Sequence, residues 1–147
     1  MRGAMNSPSR LGLLLMLAAG FSLVLMHALL SSSPLVIGVE VAGVGLMLWA
    51  RLTFGSRSFH AAAEPTEGGL ITTGPYHFIR HPIYAAACMI CLAGVSANIS
   101  LLSVLAAALL VVGALVRMSA EEEWVTARYP EYRQYAKVTK RMIPYVF

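Results

Sequence analysis

The residues of this chain that are able to do chemistry fall in two short polar clusters. The first cluster runs from Gly74 to Tyr84 and holds two His, two Tyr, two Pro and one Arg within eleven residues. The second consists of Arg117 and three consecutive glutamates, Glu121 to Glu123. Polar groups beside a bilayer are costly, so clusters of this kind in a mostly apolar chain indicate a functional site.

The first cluster offers groups that bind an anion. Arg80, His77 and His81 are cationic or hydrogen-bond donors, and Pro82 follows them. Proline is common in the first turn of a helix, where free backbone N–H groups and the helix dipole favour an anion such as a carboxylate. A ligand that bears a carboxylate therefore suits this end of the predicted helix.

The remaining residues of the clusters suit a ligand with an aromatic ring and a positive charge. Gly74 allows the backbone to approach a ligand closely, and Tyr76 and Tyr84 offer flat faces to an adenine-like ring or a cation. Glu121 and Glu122 supply acceptors for an ammonium group or for ribose hydroxyls. A zwitterionic ligand with an aromatic base and a sulfonium matches this set. The alternative is an interfacial belt in which these side chains only anchor helix ends.

Composition indicates an integral membrane protein with a single domain, residues 1–147. The hydrophobic fraction is 58%, the charged fraction is 12% and the mean hydropathy is +0.70, whereas soluble domains have about 25% charged residues. The formal net charge of +4 does not indicate a nucleic-acid partner. Cys88 and Cys91 lie in an apolar run without a His or Cys partner nearby, so we interpret them as packing residues and expect no metal.

Four hydrophobic stretches are candidates to cross a bilayer core of about 30 Å. They predict an all-α fold with transmembrane helices at about residues 11–30, 35–54, 83–97 and 99–118. The last two come from one run, Ile83 to Val116, that is too long for one span and short for two, so we interpret Ser96–Asn98 as the turn of a tight hairpin. The first stretch is interpreted as a retained signal anchor rather than as a cleaved signal peptide.

The distribution of basic residues predicts the topology. With four spans, all eleven Lys and Arg residues fall on the side of both termini, and the positive-inside rule places that side in the cytoplasm. The connector 55–82 and the tail 119–147 are then both cytosolic, and the two polar clusters meet in one composite site. The tail is predicted to be an amphipathic helix at the membrane surface, with its aromatic residues at headgroup level. We expect the membrane to be a bacterial inner membrane.

Two residues of the second span are also candidates for a functional role. Glu40 lies within the span, where a carboxyl costs about 2.5–3.5 kcal/mol on insertion scales and should face the protein interior. It is either an acceptor-pocket or proton-relay group, or a packing residue hydrogen-bonded to His27. Trp49 is an expected interface anchor and, with Glu40, a candidate for substrate binding.

An ordered set of short motifs resembles the isoprenylcysteine carboxyl methyltransferase family, and phospholipid methyltransferases share much of this pattern. The motifs are Thr73-Gly74-Pro75-Tyr76, Arg80-His81-Pro82-Ile83-Tyr84, Glu121-Glu122, Tyr132-Arg133-Gln134-Tyr135 and Arg141-Met142-Ile143-Pro144. Each motif alone is weakly specific, but their order and spacing on a membrane chain are specific together. The resemblance covers roughly residues 70–145, about half of the chain.

The resemblance implies a methyltransferase that uses S-adenosylmethionine and releases S-adenosylhomocysteine. The residues that would bind this cofactor are Gly74, Tyr76, His77, His81, Pro82, Tyr84, Glu121 and Glu122. The implied catalytic residues are Arg80, Arg117 and Glu122. The two arginines would orient a carboxylate near the sulfonium, and Arg117 would also bind the substrate. Glu122 or His77 would serve as the base if the acceptor were an amine.

The acceptor that the resemblance implies is the carboxylate of an isoprenylcysteine-like or other lipophilic substrate that enters from the bilayer. A phospholipid amine and a small thiol remain open as alternative acceptors, and so does a non-catalytic membrane protein that retains the fold. One departure from the family is Tyr129-Pro130-Glu131-Tyr132, where many relatives have a Phe-Gly pair, and it concerns the geometry of the tail. Membrane lipids are the other expected partners, and the oligomeric state is left open.

Overall fold

The structure, a computed structural model, describes residues 7–55 and 69–147. Its helices are α1 (Ser7–Leu25), α2 (Pro34–Phe54), α3 (Pro82–Ala97), α4 (Leu101–Arg128) and α5 (Tyr132–Val138), with a 3₁₀ turn at Gly74–His77. Over these two ranges there is one isolated bridge and no strand, which confirms the all-α prediction. Much of the predicted connector 55–82 lies outside the described residues, as do Arg2 and Arg57.

Three of the helices, α1, α2 and α4, are long and apolar enough to cross a membrane. The fourth predicted span, α3, is apolar but has 16 residues, or about 24 Å at the rise of an α-helix. The integral membrane class is therefore supported by three helices, and a count of four spans stays a prediction.

α1 ends five residues earlier than the hydrophobic stretch predicts. His27 adopts a left-handed φ of 52°. Its N–H donates to the Val24 carbonyl at 3.0 Å, and the next N–H, of Ala28, donates to the Leu23 carbonyl at 2.9 Å. These two bonds form a Schellman motif, which satisfies the last carbonyls of a helix where the chain turns left-handed. Hydropathy does not register this stop, because the residues up to Leu30 are mostly apolar.

α4 has no boundary at the predicted end of the fourth span. It begins with a capping box in which Ser100 and Ser103 each accept the backbone N–H of the other, and it continues unbroken to Arg128. Its 28 residues extend about 42 Å, more than a bilayer core of about 30 Å. We call residues 117–128, beyond the apolar part, the polar extension. It ends just before Pro130, which cannot continue the helix.

The helices pack as two pairs. α1 packs mainly on α4 and α2 packs mainly on α3, whereas α3 and α4 share fewer contacts. The turn of the predicted hairpin is present at residues 98–100, but neither of its helices packs mainly on the other. In the first pair the backbones cross at Gly12 and Gly113, where a Cβ added to Gly12 would lie 2.7 Å from the Gly113 carbonyl oxygen.

Asn98 joins the two pairs at the end opposite the polar clusters. Its side-chain amide donates to the carbonyls of Ala28, Leu30 and Gly94 at 3.2, 2.8 and 3.1 Å. Ala28 and Leu30 follow α1, and Gly94 belongs to α3. One side chain therefore links the two pairs through backbone acceptors.

Residues 139–147, which we call the strap, fold back over the start of α3. Lys140 forms a parallel bridge with Ile79. The Arg80 N–H donates to the Lys140 carbonyl at 2.7 Å, and the His81 N–H donates to the Arg141 carbonyl at 2.9 Å. These main-chain bonds attach the end of the tail to the first polar cluster.

The aromatic residues of α5 pack towards the protein, and their predicted position at headgroup level stays a prediction. Tyr132 is buried and Tyr135 is half-buried. The exposed positions of this helix include Arg133, Lys137 and Val138. The predicted amphipathic pattern is thus correct in period, but its aromatic side packs on the site.

Candidate active site

The structure brings the two polar clusters together at one end of the helix pairs. Arg80 and His81 precede Pro82, the fully buried first residue of α3. Glu121 and Glu122 lie on the polar extension of α4. The strap fixes the first cluster through its main-chain bonds, so three separate segments of the chain meet at this site.

Glu122, on the polar extension, contacts both of the other segments. Its Oε1 accepts from Arg80 Nε at 3.1 Å and lies 3.1 Å from His81 Nε2, while its Oε2 accepts from Arg141 Nη2 at 2.8 Å. Burial by itself raises the pKa of this carboxyl. The hydrogen bonds from His81 and Arg141 and the charges of His81 and Arg80 outweigh burial and lower the pKa to about 2. Glu122 is therefore ionised at neutral pH.

Glu121 binds a second set of partners. Its Oε1 accepts from the Tyr84 hydroxyl at 2.5 Å and from Arg117 Nε at 3.2 Å. Arg117 Nε also donates to the Tyr84 oxygen at 2.7 Å. His81 Nδ1 lies 3.8 Å from Glu121 Oε2. One ring nitrogen of His81 thus faces each carboxylate and connects the two sets of partners. We call this group of side chains the network: Arg80, His81, Tyr84, Arg117, Glu121, Glu122 and Arg141.

α1 closes the site beside Arg117. This side chain is 7% exposed, and its Nη1 donates to the Ser9 carbonyl at 3.4 Å. A Cβ added to Gly12 would lie 2.9 Å from the Arg117 backbone nitrogen. The glycine crossing therefore holds α1 close enough for its first turn to contact the buried guanidinium.

Arg80 also fastens the tail. Its Nη1 donates to the Ala136 carbonyl at 2.9 Å and to the Thr139 carbonyl, at the end of α5 where helix carbonyls lack intrahelical partners. The Tyr135 hydroxyl donates to the Tyr76 carbonyl at 2.5 Å. Burial raises the pKa of both tyrosine hydroxyls, so each stays neutral at neutral pH.

A cavity of about 740 Å³ lies between the polar extension, α5 and the strap. Its lining includes two residues of the network and three neighbours: Glu122, Arg141, Glu123, Tyr132 and Arg133. This cleft is wide open to solvent, so its lining residues, and not its volume, indicate what could bind there. The wall combines carboxylates, guanidinium groups and one aromatic ring.

Some residues of the first cluster do not reach the network or the cavity. Gly74 has a φ of +57°, and a Cβ there would lie 2.6 Å from Thr53 Oγ1, so its close approach is to α2. His77 is exposed and packs edge-on against Phe78, with ring centroids 5.1 Å apart. Tyr76 is buried and contributes its carbonyl. Their assignment to a cofactor pocket stays a prediction.

The two candidates on α2 also lie away from the network. Trp49 is 49% exposed. Glu40 lies six residues after Pro34, nearer to the opposite end of the helix. Its Oε1 is buried without a hydrogen-bond partner among the described residues, and the bond to His27 that the packing alternative requires is not found there. Its role in substrate binding stays a prediction.

Sequence reasoning gave no site role to Arg141 of the network and to Ser9 beside it, nor to three residues of the cavity lining: Glu123, Tyr132 and Arg133. Arg141 belongs to the last motif of the resemblance. Its positive charge, next to a site predicted to hold Glu121 and Glu122, could have indicated it as an ion-pair partner. Ser9 contributes a backbone carbonyl, which no side-chain pattern indicates.

Across residues 7–55 and 69–147, no group of three or more His, Cys, Asp or Glu side chains is placed to hold a metal ion. Cys88 and Cys91 are free and buried in the apolar core, in agreement with the predicted packing role. The expectation of no metal stays a prediction.

Comparisons with known proteins relate this site to a family. The model of the phospholipid methyltransferase family matches residues 38–132. The nickel-cobalt-cadmium resistance protein NccN of Alcaligenes xylosoxydans xylosoxydans is 33% identical over 111 residues, which cover 74% of this chain and 47% of that protein. The cobalt-zinc-cadmium resistance protein CzcN of Cupriavidus metallidurans is 29% identical over 119 residues, which cover 76% of this chain and 50% of that protein. No solved structure matches significantly.

The chain spans about half the length of the curated relatives it matches. The matched family region contains Arg80, His81, Glu121 and Glu122, and it ends at Tyr132, before the strap. By this match over more than half of its residues, the chain belongs to the phospholipid methyltransferase family of integral membrane methyltransferases.

Proposed function

We propose that this protein transfers a methyl group from S-adenosylmethionine to a lipophilic acceptor at the cytoplasmic face of a bacterial inner membrane. Family membership supports the reaction class, and the distribution of basic residues supports the orientation. The observation that carries the proposal is the network around Glu122, which borders a cavity of about 740 Å³.

The residues that line the cavity fit S-adenosylmethionine. Arg141 and Arg133 are suited to its carboxylate. Glu122 and Glu123 are suited to its ammonium group and ribose hydroxyls. Tyr132 offers an aromatic ring to the adenine. When bound, the cofactor supplies a methyl group carried on a sulfonium.

The network keeps Glu122 ready to accept hydrogen bonds. With a pKa of about 2, it remains a carboxylate at neutral pH. Its partners differ in exposure: the side chains of Arg80 and His81 are 11% and 9% exposed, whereas that of Arg141 is 30% exposed. Arg141 is thus the partner best placed to leave Glu122 and to bind a ligand carboxylate.

We favour a carboxylate as the acceptor. An amine acceptor would need a base, and neither of the two candidate bases, Glu122 and His77, is suited to that role. A carboxylate needs no base at neutral pH, whereas an amine must lose a proton. Glu122, with a pKa of about 2, is a weak base, and His77 is exposed outside the network.

The acceptor would be an isoprenylcysteine-like or other lipophilic carboxylate, oriented by Arg80 and Arg117. Arg117 marks the change from the apolar part of α4 to the polar extension. An amphiphile that enters from the bilayer would have its polar end at this depth. The site must hold the acceptor oxygen in line with the methyl group, at about 3–3.5 Å from it.

The cofactor assignment is tested by calorimetric titration with S-adenosylhomocysteine. Glu122→Gln and Arg141→Gln should each weaken binding by about tenfold or more, since charge-assisted hydrogen bonds contribute about 1.5–3 kcal/mol. His81→Ala and Glu121→Ala should also weaken it, by releasing Glu122 from its fixed position. Unchanged affinity in all four variants would remove the cofactor from this cavity. Arg128→Gln, an exposed charge at the end of α4, is the matched control.

The acceptor is identified by transfer of a labelled methyl group to amphiphiles that share one hydrocarbon tail. The matched set carries a carboxylate, an ethanolamine phosphate or a thiol. We expect label on the carboxylate, in a form that base releases as methanol. Label on the amine or the thiol would replace the carboxylate assignment. Cofactor binding without transfer to any of them would support the non-catalytic alternative.

We also propose a role in metal resistance, because of the names of the two relatives. Both are called metal-resistance proteins, and we extend this role to the present chain through methylation of an envelope component. Cells that carry Glu122→Gln should then tolerate cadmium or cobalt less well than cells with the unchanged protein. Equal tolerance would separate this chain from that role.

A further inference from the structure

The strap lies at the level where α3 enters the apolar region. Lys140 pairs with Ile79 and Arg80, immediately before Pro82 begins α3. Met142 packs against the apolar core of the helices. With α3 as one of the four predicted spans, the strap lies at the boundary between bilayer and water.

Beyond Met142 the strap forms a compact turn with an exposed apolar tip. The Met142 and Ile143 N–H groups donate to the Phe147 carbonyl at 2.7 and 2.6 Å, and Tyr145 adopts a left-handed φ of 64°. Tyr145 is 89% exposed and Val146 is 72% exposed. Apolar and aromatic side chains at this depth gain free energy by inserting between headgroups.

Two lysines precede the tip in sequence. Lys137 and Lys140 are exposed, and neither forms an ion pair within the described part of the chain. Arg141, between them and the tip, is instead held by Glu122 at 2.8 Å. The two ammonium groups are therefore available to anions outside the protein.

We propose that Lys137, Lys140 and the tip of Ile143, Tyr145 and Val146 form a surface that binds anionic lipid headgroups. A basic residue near an anionic membrane strengthens binding by about fivefold. The exposed tip adds apolar area at the same place. The charge complementarity selects anionic over zwitterionic lipid. This inference goes beyond methyl transfer and does not depend on it.

The lipid surface and the active site share the backbone of the strap. The carbonyls of Lys140 and Arg141 hold the N–H groups of Arg80 and His81. Lipid bound to the strap would therefore also steady the backbone that carries Arg141 and keep one wall of the cavity in place.

The test uses the full chain in lipid nanodiscs. A polarity-sensitive fluorophore is attached to Val146→Cys, with Cys88 and Cys91 replaced by alanine. In discs that contain phosphatidylglycerol we expect a blue-shifted emission that brominated lipids quench, and in phosphatidylcholine alone a weaker shift. Raising the salt to about 1 M, where the Debye length is about 3 Å, should abolish the difference between the two lipids.

The lysines are tested against a matched charge. Lys140→Gln should raise the phosphatidylglycerol fraction needed for half of the shift by about fivefold. Arg128→Gln removes an exposed charge outside the strap and should leave that fraction unchanged. An emission that is the same in both lipids and insensitive to salt would overturn the proposal, as would equal losses in the two variants. The salt titration needs no charge variant, so it decides the question even if Lys140→Gln fails to fold.

Discussion

Replacing Gly12 by alanine tests whether the backbone crossing of α1 and α4 supports the active site. A Cβ at this position would lie 2.7 Å from the Gly113 carbonyl oxygen and 2.9 Å from the Arg117 nitrogen. Both neighbours are backbone atoms, so no side-chain rotation relieves the overlap. To restore a van der Waals separation, the two helices must move apart by roughly 0.5–1 Å.

The expected loss of stability is the difference between two effects. Overpacking costs about 1–3 kcal/mol, whereas alanine in place of a helical glycine gains roughly 0.5–1 kcal/mol. Gly12→Ala should therefore lower the free energy of unfolding by about 0.5–2 kcal/mol. Gly20 is the matched control on the same helix, because a Cβ there would meet nothing within 4 Å. Gly20→Ala should show only the gain.

The assay is reversible unfolding in mixed micelles, followed by circular dichroism. We expect Gly20→Ala to be the most stable, the unchanged protein intermediate and Gly12→Ala the least stable. Because Arg117 lies at the same contact, Gly12→Ala should also lower methyl transfer, and Gly20→Ala should not. If the two alanine variants unfolded at the same denaturant concentration, the crossing would not be tight and the reasoning would fail.

Three other substitutions have expected outcomes. The folded-state pKa of Glu122, about 2, is below its ordinary value of 4.5. Its ionised form therefore stabilises the fold by about 3 kcal/mol above pH 4.5, and this stabilisation is lost as the pH falls towards 2. Glu122→Gln should flatten this part of the curve of unfolding free energy against pH, and an unchanged curve would contradict the assignment. Asn98→Ala removes the amide that donates to the carbonyls of Ala28, Leu30 and Gly94, and it should lower the free energy of unfolding by about 1–3 kcal/mol. A variant as stable as the unchanged protein would show that the amide is dispensable. Tyr135→Phe removes the bond to the Tyr76 carbonyl and should cost about 1 kcal/mol, while Tyr145→Phe, at an 89% exposed position, should cost nothing measurable in the same assay.

The meeting of the two polar clusters could be predicted from the sequence because it follows from simple physics. Hydropathy indicates how many times the chain can reverse, and basic residues collect on one side of a membrane. Arg80 and Glu122 are 42 residues apart, yet the pattern places them at the same end, where their side chains bond at 3.1 Å. The contact of Arg117 with Glu121 follows from their i,i+4 spacing on one helix.

The parts that sequence reasoning missed depend on backbone geometry. α1 stops because His27 turns left-handed, although glycine is the usual residue there. The strap pairs with Arg80 and His81 through main-chain groups that every residue type carries, so side-chain patterns do not indicate its position. His77 is next to the site in sequence, but the 3₁₀ turn ending at this residue leaves its side chain exposed.

The side-chain amide of Asn98 joins the two helix pairs at one end only. At that end the helix pairs are joined through backbone acceptors, whereas at the active-site end they are joined by charged side chains that a ligand can displace. A molecule that entered between the pairs at the active-site end would therefore part them there, while Asn98 would still join the opposite end. Such an opening would be no deeper than α3 is long, about 24 Å, and this length would limit the hydrocarbon tail that fits between the pairs.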